Sequence, residues 1–253
     1  DFDTPPAAVG PHPVVERSVD SFRGVDGCRL QMTIFEPEGL DGARPLLVWV
    51  QGSNVQPYYQ QSLHETLASW GYVVVVPDTR PLTIVPDSFY HLRNTVNAQV
   101  ALGRALSGDL GVNVDPSRVA AGGYSIGATM TTFLAARDER VAGAVLWAPT
   151  SAPFWTGVDP DALWPAVTAP THFLLGELDG IAGDYPATMQ AAMINAVSTV
   201  EVIEGGTHLF FMQPTGADSD LDPETDLTRF EQQGIAIEAT RTYLDGLFGP
   251  PSH

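Results

Sequence analysis

The sequence predicts an α/β fold: a doubly wound, mostly parallel sheet with helices on both faces and no large cap domain. Three observations predict it. Short apolar runs bounded by turn residues recur along the chain with helical stretches between them. Two of these runs, Leu46-Leu47-Val48 and Val73-Val74-Val75-Val76, are continuous and rich in β-branched residues, as central strands buried on both faces require. Finally, 253 residues of which 44% are apolar can fill one sizeable core, so a single domain over residues 1–253 is expected.

Taken in order, residues 1–13 open with Asp1-Phe2-Asp3-Thr4-Pro5-Pro6 and read as an irregular arm. Strands are expected at Leu30 to Phe35 and Pro45 to Val50, a helix at Tyr59 to Trp70, and the β-branched strand at Tyr72 to Pro77. A helix follows at Phe89 to Leu106. After the turn residues Asp115-Pro116, the apolar run Val119 to Tyr124 reads as a buried strand, and the small and apolar residues Ile126 to Arg137 as a helix. The alternation continues with strands at Ala142 to Trp147, Thr171 to Leu175 and Thr199 to Ile203, and helices at Pro186 to Asn195 and Leu227 to Leu247. Residues 148–168, with Phe154, Trp155 and Trp164, are too short for a folded cap. They read either as a crossover whose aromatics fill the core edge or as a wall of a ligand cleft beyond the strand ends.

Composition narrows the partners. A formal charge of -18 argues against nucleic acid or an anionic membrane surface, while the basic residues being all arginine is read as a statement about solubility. Cys28 is the single cysteine, so neither an intrachain disulfide nor a cysteine-based zinc site can form. No run reaches membrane-spanning length. A proline-rich start without methionine reads as a processed N-terminus, which fits a soluble, secreted protein. The acidic stretch Asp218 to Asp226 reads as a solvated loop; calcium is the alternative, although the glycine of an EF-hand loop is missing. No dinucleotide or phosphate-binding motif occurs, so no cofactor and no metal is expected.

The chemistry concentrates around Gly123-Tyr124-Ser125-Ile126-Gly127, a G-x-S-x-G pentapeptide between an expected strand and an expected helix. Elsewhere the pattern would be an ordinary glycine-rich turn; here it reads as a nucleophile elbow. A serine hydroxyl is a weak nucleophile and needs a histidine to take its proton and a carboxylate to orient that histidine. His208 follows the last expected strand and the turn Glu204-Gly205-Gly206-Thr207, and is the candidate base. His12, His64, His91, His172 and His253 read as structural or exposed, His64 on an apparent surface helix. Asp179, just past the strand Thr171 to Leu175, is the candidate acid, with Glu177 and Asp184 as competitors. Oxyanion donors are expected from the backbone N–H of Ile126 and from the loop Gln51-Gly52-Ser53-Asn54, where Ser53 is the candidate.

With these residues in place, the chain resembles the dienelactone-hydrolase-like and polyester-hydrolase (cutinase-like, polyethylene terephthalate hydrolase) branch of the α/β-hydrolases. Val50-Gln51-Gly52-Ser53 resembles its oxyanion loop, Gly123 to Gly127 its elbow, Gly176-Glu177-Leu178-Asp179-Gly180-Ile181-Ala182 its acid loop and Gly205-Gly206-Thr207-His208 its histidine loop. The resemblance implies Ser125, Asp179 and His208 as a triad with Ser53 and Ile126 as oxyanion donors. It also implies an aromatic residue at the position of Ser53 and a tryptophan at that of Thr150 to clamp an aromatic ring, and both are absent here. Tyr124, Trp155, Ile181 and Phe210, together with Thr150, are the candidate cleft residues.

These readings lead to a cofactor-independent carboxylic-ester hydrolase working through an acyl-enzyme on small-molecule esters or polyesters. An amidase or peptidase would use the same triad. A noncatalytic binding protein of the same fold would have no use for all three residues.

Overall fold

The computed structural model describes residues 7–23, 29–53, 55–78, 87–151, 160–214 and 222–251. Cys28, Asn54, Trp155, the first six residues of the arm, residues 218–221 of the acidic stretch and His253 lie outside the described residues.

Eight strands among the described residues form one open sheet in the order β1-β2-β4-β3-β5-β6-β7-β8. They are β1 (Val14–Arg23), β2 (Arg29–Pro37), β3 (Arg44–Val50), β4 (Val73–Pro77), β5 (Val114–Tyr124), β6 (Gly143–Trp147), β7 (Thr171–Gly176) and β8 (Ser198–Ile203). The pairs β1–β2 and β2–β4 are antiparallel and all the others are parallel. This is the doubly wound, mostly parallel sheet expected of an α/β-hydrolase.

Strand β3 shows how the sequence builds both layers. Its residues are buried throughout, and the two-residue period of a strand divides them between the faces. Leu46, Val48 and Val50 join Ala98 and Leu102 of α2 (Asp87–Leu106), Met130 and Phe133 of α3 (Ile126–Arg137) and Met189 of α5 (Tyr185–Ala192). Leu47 and Trp49 join Leu63 and Leu67 of α1 (Gln61–Ser69) and Ala236, Ile237 and Leu244 of α6 (Arg229–Phe248). Burying each such side chain contributes about 1.5–3 kcal/mol, so the continuous apolar run that marked β3 in the sequence is also what binds the two helical layers.

From β3 the chain runs through α1 to β4 on one side, then through α2 to β5 on the other side of β3. This reversal opens a crevice at the carboxyl ends of β3 and β5, where open α/β sheets bind ligands. Gln51-Gly52-Ser53 leaves one of these ends and Ser125 the other.

Three expectations need correction. Residues 14–23 form an edge strand that the apolar runs did not reveal. Strand β5 starts at Val114 instead of Val119, with the Asp115-Pro116 turn retained within it as a break in the register with β3, where the N–H of Ser117 donates to Asp115 Oδ1 at 2.9 Å. Residues Pro160–Leu163 form a short helix, α4, followed by a 3₁₀ turn at Trp164–Ala166. Trp164 there is buried, with its Nε1–H donating to Thr132 Oγ1 at 3.2 Å, so this part of residues 148–168 fills the core. Residues 7–13 of the arm are irregular yet docked: the N–H of Gly10 donates to Ser69 Oγ and the indole of Trp70 to the carbonyl of Ala8.

Candidate active site

Ser125 stands between β5 and α3 with φ 57° and ψ −127°, a left-handed conformation that a residue with a Cβ adopts only under constraint. The constraint is visible. Its N–H donates to the carbonyl of Trp147 at 2.8 Å, and its own carbonyl accepts the N–H of Ala128 at 3.1 Å. Among the described residues Ala148 is the other non-glycine residue at positive φ, 45°, and it leads directly to Thr150 beside Ser125. Strained backbone therefore gathers at this crevice.

Two glycines allow the elements to meet. A Cβ on Gly127 would lie 2.2 Å from the carbonyl oxygen of Val50, so the first turn of α3 packs directly on the end of β3. A Cβ on Gly52 would lie 3.2 Å from Ser125 Cβ and 3.0 Å from the ring of Tyr124. The loop after β3 thus rests its backbone on the serine. Among the described residues, the N–H groups of Ser53 and Ile126 donate to no backbone carbonyl; that of Ile126 is one of the unpaired donors at a helix start.

The other two candidates arrive from the ends of β7 and β8. His208 Nε2 lies 3.0 Å from Ser125 Oγ, and His208 Nδ1 lies 2.8 Å from Asp179 Oδ2. The remaining oxygen of Asp179 accepts the N–H groups of Ile181 and Ala182 at 3.0 and 2.7 Å. Because the carboxylate only accepts, Nδ1 carries the proton and Nε2 is free to accept the serine hydroxyl. The His208 and Asp179 side chains are 4% and 5% exposed, and low local dielectric strengthens the bond between them. The competing carboxylates are elsewhere: Glu177 accepts the N–H of Gly205 at 2.9 Å, and Asp184 is exposed at the start of α5.

The turn carrying His208 is held by side chains at successive backbone groups. Gln232 accepts the N–H of Thr207 at 2.9 Å and donates to its carbonyl at 2.7 Å. Asp222 accepts the N–H groups of His208 and Leu209, at 2.5 and 2.8 Å. The hydroxyl of Tyr124 donates to the carbonyl of His208 at 3.0 Å, and Arg229 donates to those of Leu209 and Met212 at 2.6 and 3.1 Å. Burial first, then the charges of Asp179 and Asp222, push the Tyr124 pKa well above its usual range, so the phenol remains a donor.

The candidate cleft residues fare differently. Tyr124 is 2% exposed and its ring packs 5.1 Å from that of His208, so it supports the histidine instead of lining open surface. Its place inside the elbow turns it inward toward the face of α6. Thr150 does face the serine: the two hydroxyl oxygens are 3.3 Å apart, and the carbonyl of Thr150 accepts the hydroxyl of Thr129 at 2.7 Å. Phe210 is half-buried beneath the guanidinium of Arg229, 4.6 Å from the ring centre. Ile181 is half-buried in the acid loop, and Trp155 lies outside the described residues.

Two other sequence readings change. His64 is fully buried on α1, packed 5.1 Å from the ring of Phe35 and 6.3 Å from that of Trp49, instead of sitting on a surface helix. Asp222, counted among the residues of a solvated loop, turns in toward His208. Among the described residues no group of three or more His, Cys, Asp or Glu side chains could hold a metal ion, and no helix is long and apolar enough to cross a membrane.

A family model described as PET hydrolase-like matches residues 5–219, which include Ser53, Ser125, Asp179 and His208. A comparison with curated proteins gives no match.

Proposed function

The chain belongs to the PET hydrolase-like family, and from that premise we propose that it is a serine carboxylic-ester hydrolase acting through an acyl-enzyme on short neutral esters or polyesters. One observation carries the reading: the continuous hydrogen-bond chain from Asp179 through His208 to Ser125.

In this mechanism Ser125 Oγ attacks the ester carbonyl carbon while His208 Nε2 takes its proton. The N–H groups of Ser53 and Ile126 receive the oxyanion of the tetrahedral intermediate. Asp179 stabilises the imidazolium without taking its proton. As the carbon–oxygen bond to the alcohol breaks, His208 returns the proton to the leaving oxygen and the acyl group remains on Ser125. Water then repeats the sequence, with His208 again as base, and releases the acid.

The substrate preference follows from what surrounds the serine. Ser53 and Thr150 offer no aromatic face, and a face-stacking contact is worth about 0.5–1.5 kcal/mol beyond its buried area. The formal charge of -18 disfavours anionic substrates. Neutral aliphatic esters are therefore preferred. The test is hydrolysis of p-nitrophenyl acetate and of a matched anilide, with covalent labelling by a phosphonate. Ester turnover exceeding anilide turnover, label on Ser125, and loss on the order of 10⁶ in turnover for Ser125→Ala are expected. An alanine variant keeping more than about a tenth of wild-type turnover would defeat the reading.

A further inference from the structure

We propose that Asp222 is a positioning residue for His208: its carboxylate bridges the N–H groups of His208 and Leu209 and thereby sets the direction in which the imidazole meets Ser125. This rests on His208 being the base of the proposed hydrolase.

The two bonds are 2.5 and 2.8 Å long. The N–H groups they satisfy lie at the start of the short 3₁₀ turn Leu209–Phe211, where His208 has φ −64° and ψ −53° and, among the described residues, no backbone carbonyl accepts either of them. His208 is 3% exposed, so water is not a ready substitute. Without Asp222 the turn would either leave buried donors unpaired or rotate to find others. Rotation at His208 swings its Cα–Cβ bond, and with it the 3.0 Å contact from Nε2 to Ser125 Oγ.

The surrounding contacts separate Asp222 from the other residues holding this turn. Gln232 fixes Thr207, Arg229 fixes the carbonyls of Leu209 and Met212, and Tyr124 fixes the carbonyl of His208. Asp222 acts on the N–H of His208 itself, adjoining the atom that carries the ring. It does not replace Asp179, because both of its oxygens serve backbone groups while Asp179 already holds Nδ1. Asp222, Arg229 and Gln232 all lie beyond residues 5–219, the part matched by the family model, so this clamp is supplied by chain outside that match.

The experiment compares Asp222→Ala, Asp222→Asn and the exposed neighbour Glu224→Gln, using full-length protein and p-nitrophenyl acetate. A misdirected general base slows chemistry without weakening ground-state binding. Asp222→Ala should lower kcat by roughly 10- to 100-fold with KM unchanged, and slow phosphonate labelling of Ser125 by the same factor. Asp222→Asn keeps one accepting oxygen and presents an amide donor to the other N–H, so its loss should fall between wild type and alanine. Glu224→Gln should match wild type. Near-ultraviolet circular dichroism checks the fold, and if the alanine variant is unfolded the isosteric asparagine variant carries the test. A folded variant with wild-type kcat, or with a raised KM at unchanged kcat, overturns the proposal. Wild-type protein that no phosphonate labels at Ser125 defeats the hydrolase reading, and this proposal with it.

Discussion

Asp179 is joined to His208 through Oδ2 alone, because its other oxygen is already occupied by the N–H groups of Ile181 and Ala182. That division determines what an isosteric change must do. In Asp179→Asn the amide nitrogen cannot face two N–H donors, so the remaining oxygen stays on the loop and the NH2 group is turned toward His208 Nδ1. The imidazole must then accept at Nδ1 and carry its proton on Nε2, where it can no longer take one from Ser125. Turnover of p-nitrophenyl acetate should fall by about 10⁴-fold with little change in stability. A fully active Asp179→Asn beside an inactive Asp184→Asn would show that the acid lies elsewhere.

Gly127→Ala places a methyl group where the carbonyls of Val50 and Gln51 stand, at 2.2 and 2.4 Å. Backbone on both sides must move, and the loop carrying Ser53 moves with it. The variant should lose about 1–3 kcal/mol or more of stability in urea unfolding and most of its ester turnover. Wild-type behaviour in both measurements would contradict the close packing of α3 on the end of β3.

Ser53 is exposed beside the serine, so an aromatic ring placed there meets solvent before it meets protein. Ser53→Tyr should raise kcat/KM for phenyl-substituted esters relative to aliphatic ones by about 2- to 10-fold, the equivalent of one stacking contact. For the unaltered protein, product release from an aliphatic polyester film should exceed that from an amorphous terephthalate film of equal area. The reverse order would mean that aromatic residues at positions other than 53 and 150 grip the ring.

Burial lowers the pKa of His64 from 6.5 to about 3. Between those values the unfolded chain binds a proton at this residue and the folded chain does not, so stability declines as pH falls through that window. The slope is about 1.4 kcal/mol per pH unit. Both ring nitrogens of His64 are buried and find no partner among the described residues, so leucine at this site removes a polar cost as well as the titration. His64→Leu should raise the melting midpoint more at pH 5 than at pH 8. An equal change at both values would mean that His64 is protonated in the folded state.

The sequence disclosed those parts of the molecule whose burial is symmetrical. Strands β3 and β4 are buried on both faces and therefore stand out as continuous apolar runs. Among the described residues strand β1 pairs with β2 alone, and it mixes Val15, Glu16, Arg17 and Ser18, so it offers no such run. The opening residues of β5 are partly exposed and contain Asp115-Pro116, where the register with β3 breaks and Ser117 donates its N–H to Asp115 Oδ1, so a local turn sits inside the span of the strand and hides its first residues. The order Ser125, Asp179, His208 could be read because each candidate follows an apolar run. Asp222 could not: its value comes from N–H groups that folding brings to it, and nothing in its acidic stretch distinguishes it from Asp220 or Asp226. The burial of Tyr124 was not legible for a related reason, since the elbow motif locates the residue without saying toward which layer its ring points.

Helix α3 is buried at every position from Ile126 to Ala135. A helix with no wet face gains little from forming alone in water, and its buried threonine hydroxyls must return to carbonyls, as Thr131 does to Gly127 at 2.9 Å and Thr132 to Thr129 at 2.7 Å. The serine at its foot therefore acquires its geometry only when the sheet and the neighbouring helix have closed around it. A partly melted molecule has no working elbow. On warming, esterase rate and near-ultraviolet signal should decay along one curve, which makes turnover itself a count of intact molecules.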